Sequence, residues 1–212
     1  LFKNTIMPSE ALVKQIFSVA SFVILLVSLG AAGTSLGLLQ ANTDNGVRCF
    51  FFVSYTQAMN TSLVNYNVPT CKLGIASATI AIICLALLTA IELFSLLFEI
   101  NAKTLIAKIL QIGFFSGSIL FLFITTVVVS AGWGKTCATN KNITKTGADT
   151  YFDCTGPQYL SGLGPLAPNG AEIITAAAFA GIGVLLTIVA LVLFIVKQMK
   201  SKTNYGNLTP NN

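Results

Sequence analysis

Residues 73–98 read LGIASATIAIICLALLTAIELFSLLF, an apolar run broken by one carboxylate, Glu92. An α-helix rises about 1.5 Å per residue, so this stretch crosses a hydrocarbon core of about 30 Å with residues to spare. A soluble core helix has no need of unbroken apolarity on that scale. Three more runs of the same kind lie outward of it, at 13–38, 105–131 and 171–196. The chain is therefore expected to be an all-α membrane protein, a four-helix transmembrane bundle with two disulfide-bearing lumenal or extracellular loops. Residues 1–197 make up the four-span domain, and 198–212 are expected to form a mobile cytosolic tail.

Composition supports this independently of any window. Charged residues make up 9% of the chain and hydrophobic residues 54%, where soluble domains carry about 25% charged residues. The net charge of +5 comes from basic residues scattered singly, several at span ends, where lysines anchor to headgroups. That pattern is no nucleic-acid signal. The first run is about 26 residues long, against about 7–15 for a signal-peptide core, and no small-residue cleavage site follows it.

An even number of spans puts both termini on one side. The termini and the short link after span two hold Lys3, Lys14, Lys103, Lys108, Lys197, Lys200 and Lys202, against Arg48, Lys72, Lys135, Lys141 and Lys145 in the two long loops. The bias favours cytosolic termini. Cysteines agree: Cys49 and Cys71 fall in loop one, Cys137 and Cys154 in loop two, and only Cys84 lies in a span. Paired loop cysteines favour the oxidising side of a membrane. Two glycosylation sequons, at Asn60 and Asn142, fall in the same loops, and a third, at Asn207, falls in the tail, where it should be silent. Four cysteines allow three pairings. Cys49–Cys71 and Cys137–Cys154 are expected, because each pair lies within one loop; a cross-loop pairing is the alternative. Closing loops of about 20 residues contributes on the order of 3 kcal/mol each.

The chain has no histidine, which removes the commonest general base and metal ligand. It has no P-loop, CxxC pair or HExxH motif either. Glu92 is the one ionisable residue at depth in a span, where transporters usually carry several. It reads as an interfacial or hydrogen-bonded packing residue, and no enzyme, cofactor or metal is expected. Small residues supply the remaining pattern. Gly33 with Gly37, and Gly113 with Gly117, stand at GxxxG spacing, and span four holds Ala176, Ala177, Ala178, Ala180, Gly181 and Gly183. In lipid, close backbone approach at such residues drives helix association. They are expected to pack the bundle or to meet a second subunit.

The loops are aromatic, with Phe50, Phe51, Phe52, Tyr55, Tyr66, Tyr151, Phe152 and Tyr159, and a small core joining them is expected. Trp133 closes span three, the usual place for an interfacial anchor. Asn169 is a candidate N-cap for span four, with Glu172 three residues on at capping-box spacing.

Some of these stretches resemble the MARVEL-type four-span proteins, and most closely their synaptophysin–synaptogyrin branch. Asn42-Thr43-Asp44-Asn45-Gly46-Val47-Arg48-Cys49 is similar to the polar approach to the first lumenal cysteine. Pro69-Thr70-Cys71-Lys72-Leu73-Gly74 is similar to the second cysteine at the mouth of span two. Ser130-Ala131-Gly132-Trp133-Gly134-Lys135 resembles the exit of span three. The Tyr-rich repeat tail of synaptophysins is absent. The resemblance implies a multi-pass protein of transport vesicles, endomembranes or plasma membrane. It implies a non-enzymatic membrane-organising or trafficking scaffold, forming homo-oligomers or complexes with other membrane proteins and contacting lipids, sterol among them. A large-pore or gap-junction-like channel subunit is the alternative reading, with Ser18, Ser21, Ser28, Ser116, Thr125 and Thr126 as its only pore-like hydroxyls. An accessory subunit of a larger membrane complex is a third.

Overall fold

The computed structural model describes residues 10–44, 48–49, 54–58, 61–65, 69–98, 105–144, 154–155 and 169–206. Four helices dominate: α1 (Glu10–Ala41), α2 (Pro69–Phe98), α3 (Leu105–Thr144) and α4 (Gly170–Gly206). They hold stretches of 27, 29, 33 and 30 residues long and apolar enough to cross a membrane. Main packing runs around a ring, α1 on α2, α2 on α3, α3 on α4 and α4 on α1. Consequently α1 and α3 stand at opposite corners, as do α2 and α4. The first connection carries two antiparallel hairpins, β1 (Thr43–Asp44) with β2 (Arg48–Cys49), and β3 (Ser54–Ala58) with β4 (Thr61–Asn65). In the second, Tyr55 stands opposite Val64 and Thr56 opposite Leu63, pairings of residue types that favour strands.

Each helix turns one narrow seam inward. On α1 the buried seam is Ser18, Ser21, Leu25, Ser28, Ala32, Ser35 and Leu39. On α2 it is Cys71, Gly74, Ala78, Ala81, Leu85, Leu88 and Glu92. On α3 it is Gln111, Phe115, Ser118, Leu122, Thr125 and Val129, and on α4 Ile173, Ala176, Ala180, Gly183, Thr187, Ala190 and Phe194. Steps of three and four alternate along these seams, the repeat of left-handed coiled-coil packing. Bulky residues face the other way: Val19, Val23 and Val27 on α1, Ile83 and Leu87 on α2, Phe123 on α3, and Leu185 and Val192 on α4 are exposed. Soluble bundles put charged and polar residues on that outer face. Lipid tails are as apolar as leucine, so the association of these helices rests on close packing rather than on expulsion of water.

Two apolar clusters fill the interior. Leu25, Ala32, Ala81, Leu85, Leu88, Phe115, Leu122, Ala190 and Phe194 form one. Within it the Phe115 and Phe194 rings lie 5.8 Å apart, tilted at 38°. The other, at the disulfide end, joins Leu39, Cys49, Cys71, Val129, Trp133, Ile173, Ala176 and Ala177. Hydroxyl pairs stitch neighbouring helices. Ser28 and Thr187 share a 2.8 Å hydrogen bond, and both reach the Gly183 carbonyl, at 3.1 and 2.7 Å. Ser77 and Thr125 share another of 2.8 Å, and Thr125 also donates to the Phe121 carbonyl at 2.9 Å. In a double-mutant cycle, Ser28→Ala with Thr187→Val should couple by about 0.6 kcal/mol and by no more than about 1.7, the range for interhelical bonds in membranes. Reversible unfolding in bicelles measures it.

Two boundaries differ from the sequence reading. Helix α3 runs on past residue 131 to Thr144, and α4 runs to Gly206, so residues 198–206 are helical. Polar side chains mark where lipid ends, whereas backbone i→i−4 bonds hold a helix together in water as well. By contrast α2 begins at Pro69, ahead of its apolar run, at a first-turn position where a missing N–H costs nothing.

Candidate functional site

The ends of α1 and α3 and the starts of α2 and α4 meet at one end of the bundle, where a polar cap forms. Cys49 pairs with Cys71 in the first turn of α2, with Cα atoms 6.3 Å apart. Cys137 pairs with Cys154, with Cα atoms 5.8 Å apart. Both expected within-loop pairings are present, though Cys137 sits on the extended α3 helix. Trp133 is not the outward interfacial anchor its position suggested. Its ring is buried, and its Nε1 donates to the Cys154 carbonyl at 3.1 Å. At the start of α4, Gly170 leaves room for both: a Cβ there would overlap the Cys154 carbonyl and stand 2.6 Å from Trp133 Cζ2. Only a residue without a side chain lets Cys154 and the indole come this close to the start of α4.

Asn169 caps α4 as expected, its Oδ1 accepting from the Ala171 N–H at 3.1 Å. Glu172 does not close the usual box. Its Oε1 accepts from the Asn169 side-chain amide at 3.1 Å, and its Oε2 from Asn42 Nδ2 at 2.8 Å. Asn42 Oδ1 takes the Asn169 backbone N–H instead, at 2.8 Å. Asn42 thus stitches the end of α1 to the start of α4, a bond between elements far apart in sequence.

The opposite end holds an ion pair. Lys197 Nζ on α4 lies 3.6 Å from Glu92 Oε2 on α2 and donates to Ser18 Oγ on α1 at 3.0 Å. Ser18 Oγ donates to Glu92 Oε2 at 3.2 Å. The Glu92 side chain is 3% exposed and that of Lys197 24%. Glu92 is therefore a paired, buried carboxylate rather than an interfacial one. Lys197 was legible only as a span-end lysine. The α1 seam, with Ser21, Ser28 and Ser35 seven residues apart, was the sequence signal that could have placed Ser18 on the inner face.

Three of the four GxxxG glycines do not pack the bundle: among the described residues, nothing lies within 4 Å of a Cβ built at Gly33, Gly37 or Gly113, whereas one at Gly117 would touch Cys84 Sγ of α2 at 3.6 Å. The close approaches are at Gly74, 3.3 Å from Val128, and at Gly183, 3.2 Å from Leu122. GxxxG spacing alone does not fix which way a helix is rotated, and here the inward seam takes other residues. Among the pore-like hydroxyls, Ser18, Ser28 and Thr125 are bonded inside the bundle, Thr126 donates to the Leu122 carbonyl, and Ser116 is exposed. Buried Ser21 and Ser35 have no hydrogen-bond partner among the described residues. A lipid-facing groove of about 470 Å³ runs between α3 and α4, lined by Thr126, Val129, Trp133, Ile173, Ala177 and Gly181.

Asn142 lies on the last turn of α3. Asn60, Asn207, the link at 100–104 and the aromatic residues Phe50, Phe51, Phe52, Tyr66, Tyr151, Phe152 and Tyr159 lie outside the described residues, as does the side chain of Tyr55. The expected aromatic mini-core therefore falls there too. Comparison with known proteins gives no match: no family model, no curated protein and no solved structure is significantly similar to this chain.

Proposed function

We propose that this chain is a non-enzymatic membrane-organising protein, a scaffold for vesicle or surface membranes that acts through helix–helix and lipid contacts. In this reading its termini are cytosolic and its disulfides lumenal or extracellular. The observation that carries it is the outward glycine face of α1. Among the described residues, Gly30, Gly33 and Gly37 have no neighbour within 4 Å of a Cβ position, and they continue the outward stripe begun by the bulky Val19, Val23 and Val27. A flat strip of that kind admits another helix backbone at close range. The groove between α3 and α4 offers lipid chains a second recess. Supporting the scaffold over the channel reading, Ser28 and Thr125 are bonded to neighbouring helices, and apolar clusters fill the interior between the polar ends.

Cross-linking of the full chain in native-like membranes tests the reading. Gly33→Leu with Gly37→Leu should reduce cross-linked oligomer or partner complexes at least tenfold, while the outward change Val23→Leu leaves them intact. Equal cross-linking in all three proteins would count against a helix-contact scaffold. Steady selective currents from the purified protein in planar bilayers would favour the channel.

A further inference from the structure

We propose that Glu92, Ser18 and Lys197 form an ion-pair plug across the bundle axis, and that it keeps water from a site at the Ser21 hydroxyl behind it. The placement of the three residues supports this. Helices α2 and α4 stand at opposite corners of the ring, so the 3.6 Å Lys197–Glu92 pair spans the bundle rather than one helix seam. Ser18 of α1 bonds both partners and closes the near side. On α3, the matching inward residue is Gln111, which is buried and uncharged, with Lys108 half-buried a turn before it.

Behind the plug lies Ser21, the next seam residue of α1, one helical turn deeper. It is 2% exposed, and its Oγ has no hydrogen-bond partner among the described residues. A buried polar atom without a partner is where an ordered water settles when one can enter. Level with it, Leu88, Phe115 and Phe194 are the next seam residues of the other three helices, and with Leu25 and Leu85 one step deeper they are packed into one apolar cluster that offers water no partner. The polar layer is thus thin: a charged pair at the end of the bundle, one orphan hydroxyl a turn behind it, and apolar side chains around and beyond that hydroxyl. The two charges differ in reach. Lysine can swing its ammonium out along a flexible stem, whereas the carboxylate is enclosed. Loss of either charge removes the bond that spans the axis, and that end of the bundle opens.

Thiol accessibility tests the plug in the full chain, reconstituted in lipid nanodiscs, with Cys84→Ser removing the free thiol. Ser21→Cys and, separately, Ser35→Cys are probed with a small, charged methanethiosulfonate. The Ser35 position is equally enclosed and equally unpartnered, but lies toward the disulfide end. With the pair intact, both thiols should react slowly. Glu92→Ala or Lys197→Ala should speed labelling at Ser21→Cys at least tenfold and leave Ser35→Cys slow. Exchanging the charges, Glu92→Lys with Lys197→Glu, should restore slow labelling. If a single variant does not fold, the exchanged pair decides: a protected thiol supports the plug, and a labelled one overturns it. Fast labelling with the native pair, unchanged labelling after its removal, or equal gains at both probe positions would each overturn it.

Discussion

Lys197→Met should destabilise the bundle by about 3–5 kcal/mol, the cost of leaving a buried carboxylate without its counter-charge. Glu92→Gln should cost less, about 1.5–3 kcal/mol, the worth of a hydrogen bond to a charged group. The asymmetry follows from position. Lys197 is partly exposed, so without Glu92 it can reach toward headgroups, but Glu92 is enclosed and cannot leave. The same comparison shows why anionic lipid would not open the pair. A basic residue gains about 1 kcal/mol near an anionic surface, well short of the cost of stranding the carboxylate. Reversible unfolding in bicelles measures both variants. Equal costs, or a milder effect for Lys197→Met, would show that the carboxylate is not enclosed as described.

Gly170→Ala is expected to have the next largest effect, about 1–3 kcal/mol from overpacking, with about 1 kcal/mol more if the Trp133–Cys154 bond breaks. The added methyl would meet a backbone carbonyl and an indole ring rather than the free end of a flexible side chain. Neither can move alone, because Cys154 is held by its disulfide and Trp133 by the packing of the outer cluster. Trp133→Phe keeps most of the packing and loses only the Nε1 bond, so it should cost about 1 kcal/mol. Thermal unfolding in detergent measures both variants, and in Gly170→Ala the shift of Trp133 fluorescence reports displacement of the indole. A Gly170→Ala protein as stable as the parent would show that Cys154 and the indole do not come this close to the start of α4.

Much of this architecture is legible in the sequence because lipid is an unforgiving solvent. The four apolar runs, the within-loop pairing of Cys49 with Cys71 and of Cys137 with Cys154, and the cap at Asn169 all follow from local composition and spacing. Helix rotation did not, because a span apolar all around does not announce which face is inner. That is why Gly33 and Gly37 suggested bundle packing although they face outward. The serines of α1 hold the missing phase. In an apolar helix a polar side chain gains most by turning inward, and Ser21, Ser28 and Ser35 recur on one seam. Partners distant in the chain were also hidden: nothing local ties Lys197 to Glu92, or Asn42 to Glu172. Trp133 misled for a related reason, since a tryptophan at a span end serves equally as a rim anchor or as the lid of a buried cluster.

The central physical claim is that the serine-bearing seam of α1 faces inward while its stripe of valines and glycines meets lipid. Oxygen accessibility of spin labels placed singly along α1 from Val23 to Ser35, in nanodiscs, tests it most directly. Accessibility should be low at Leu25, Ser28, Ala32 and Ser35 and high at Val23, Val27, Gly30 and Gly33, with a period near 3.5 residues. High accessibility on the serine positions with low accessibility on the valines, or no periodicity at all, would contradict it.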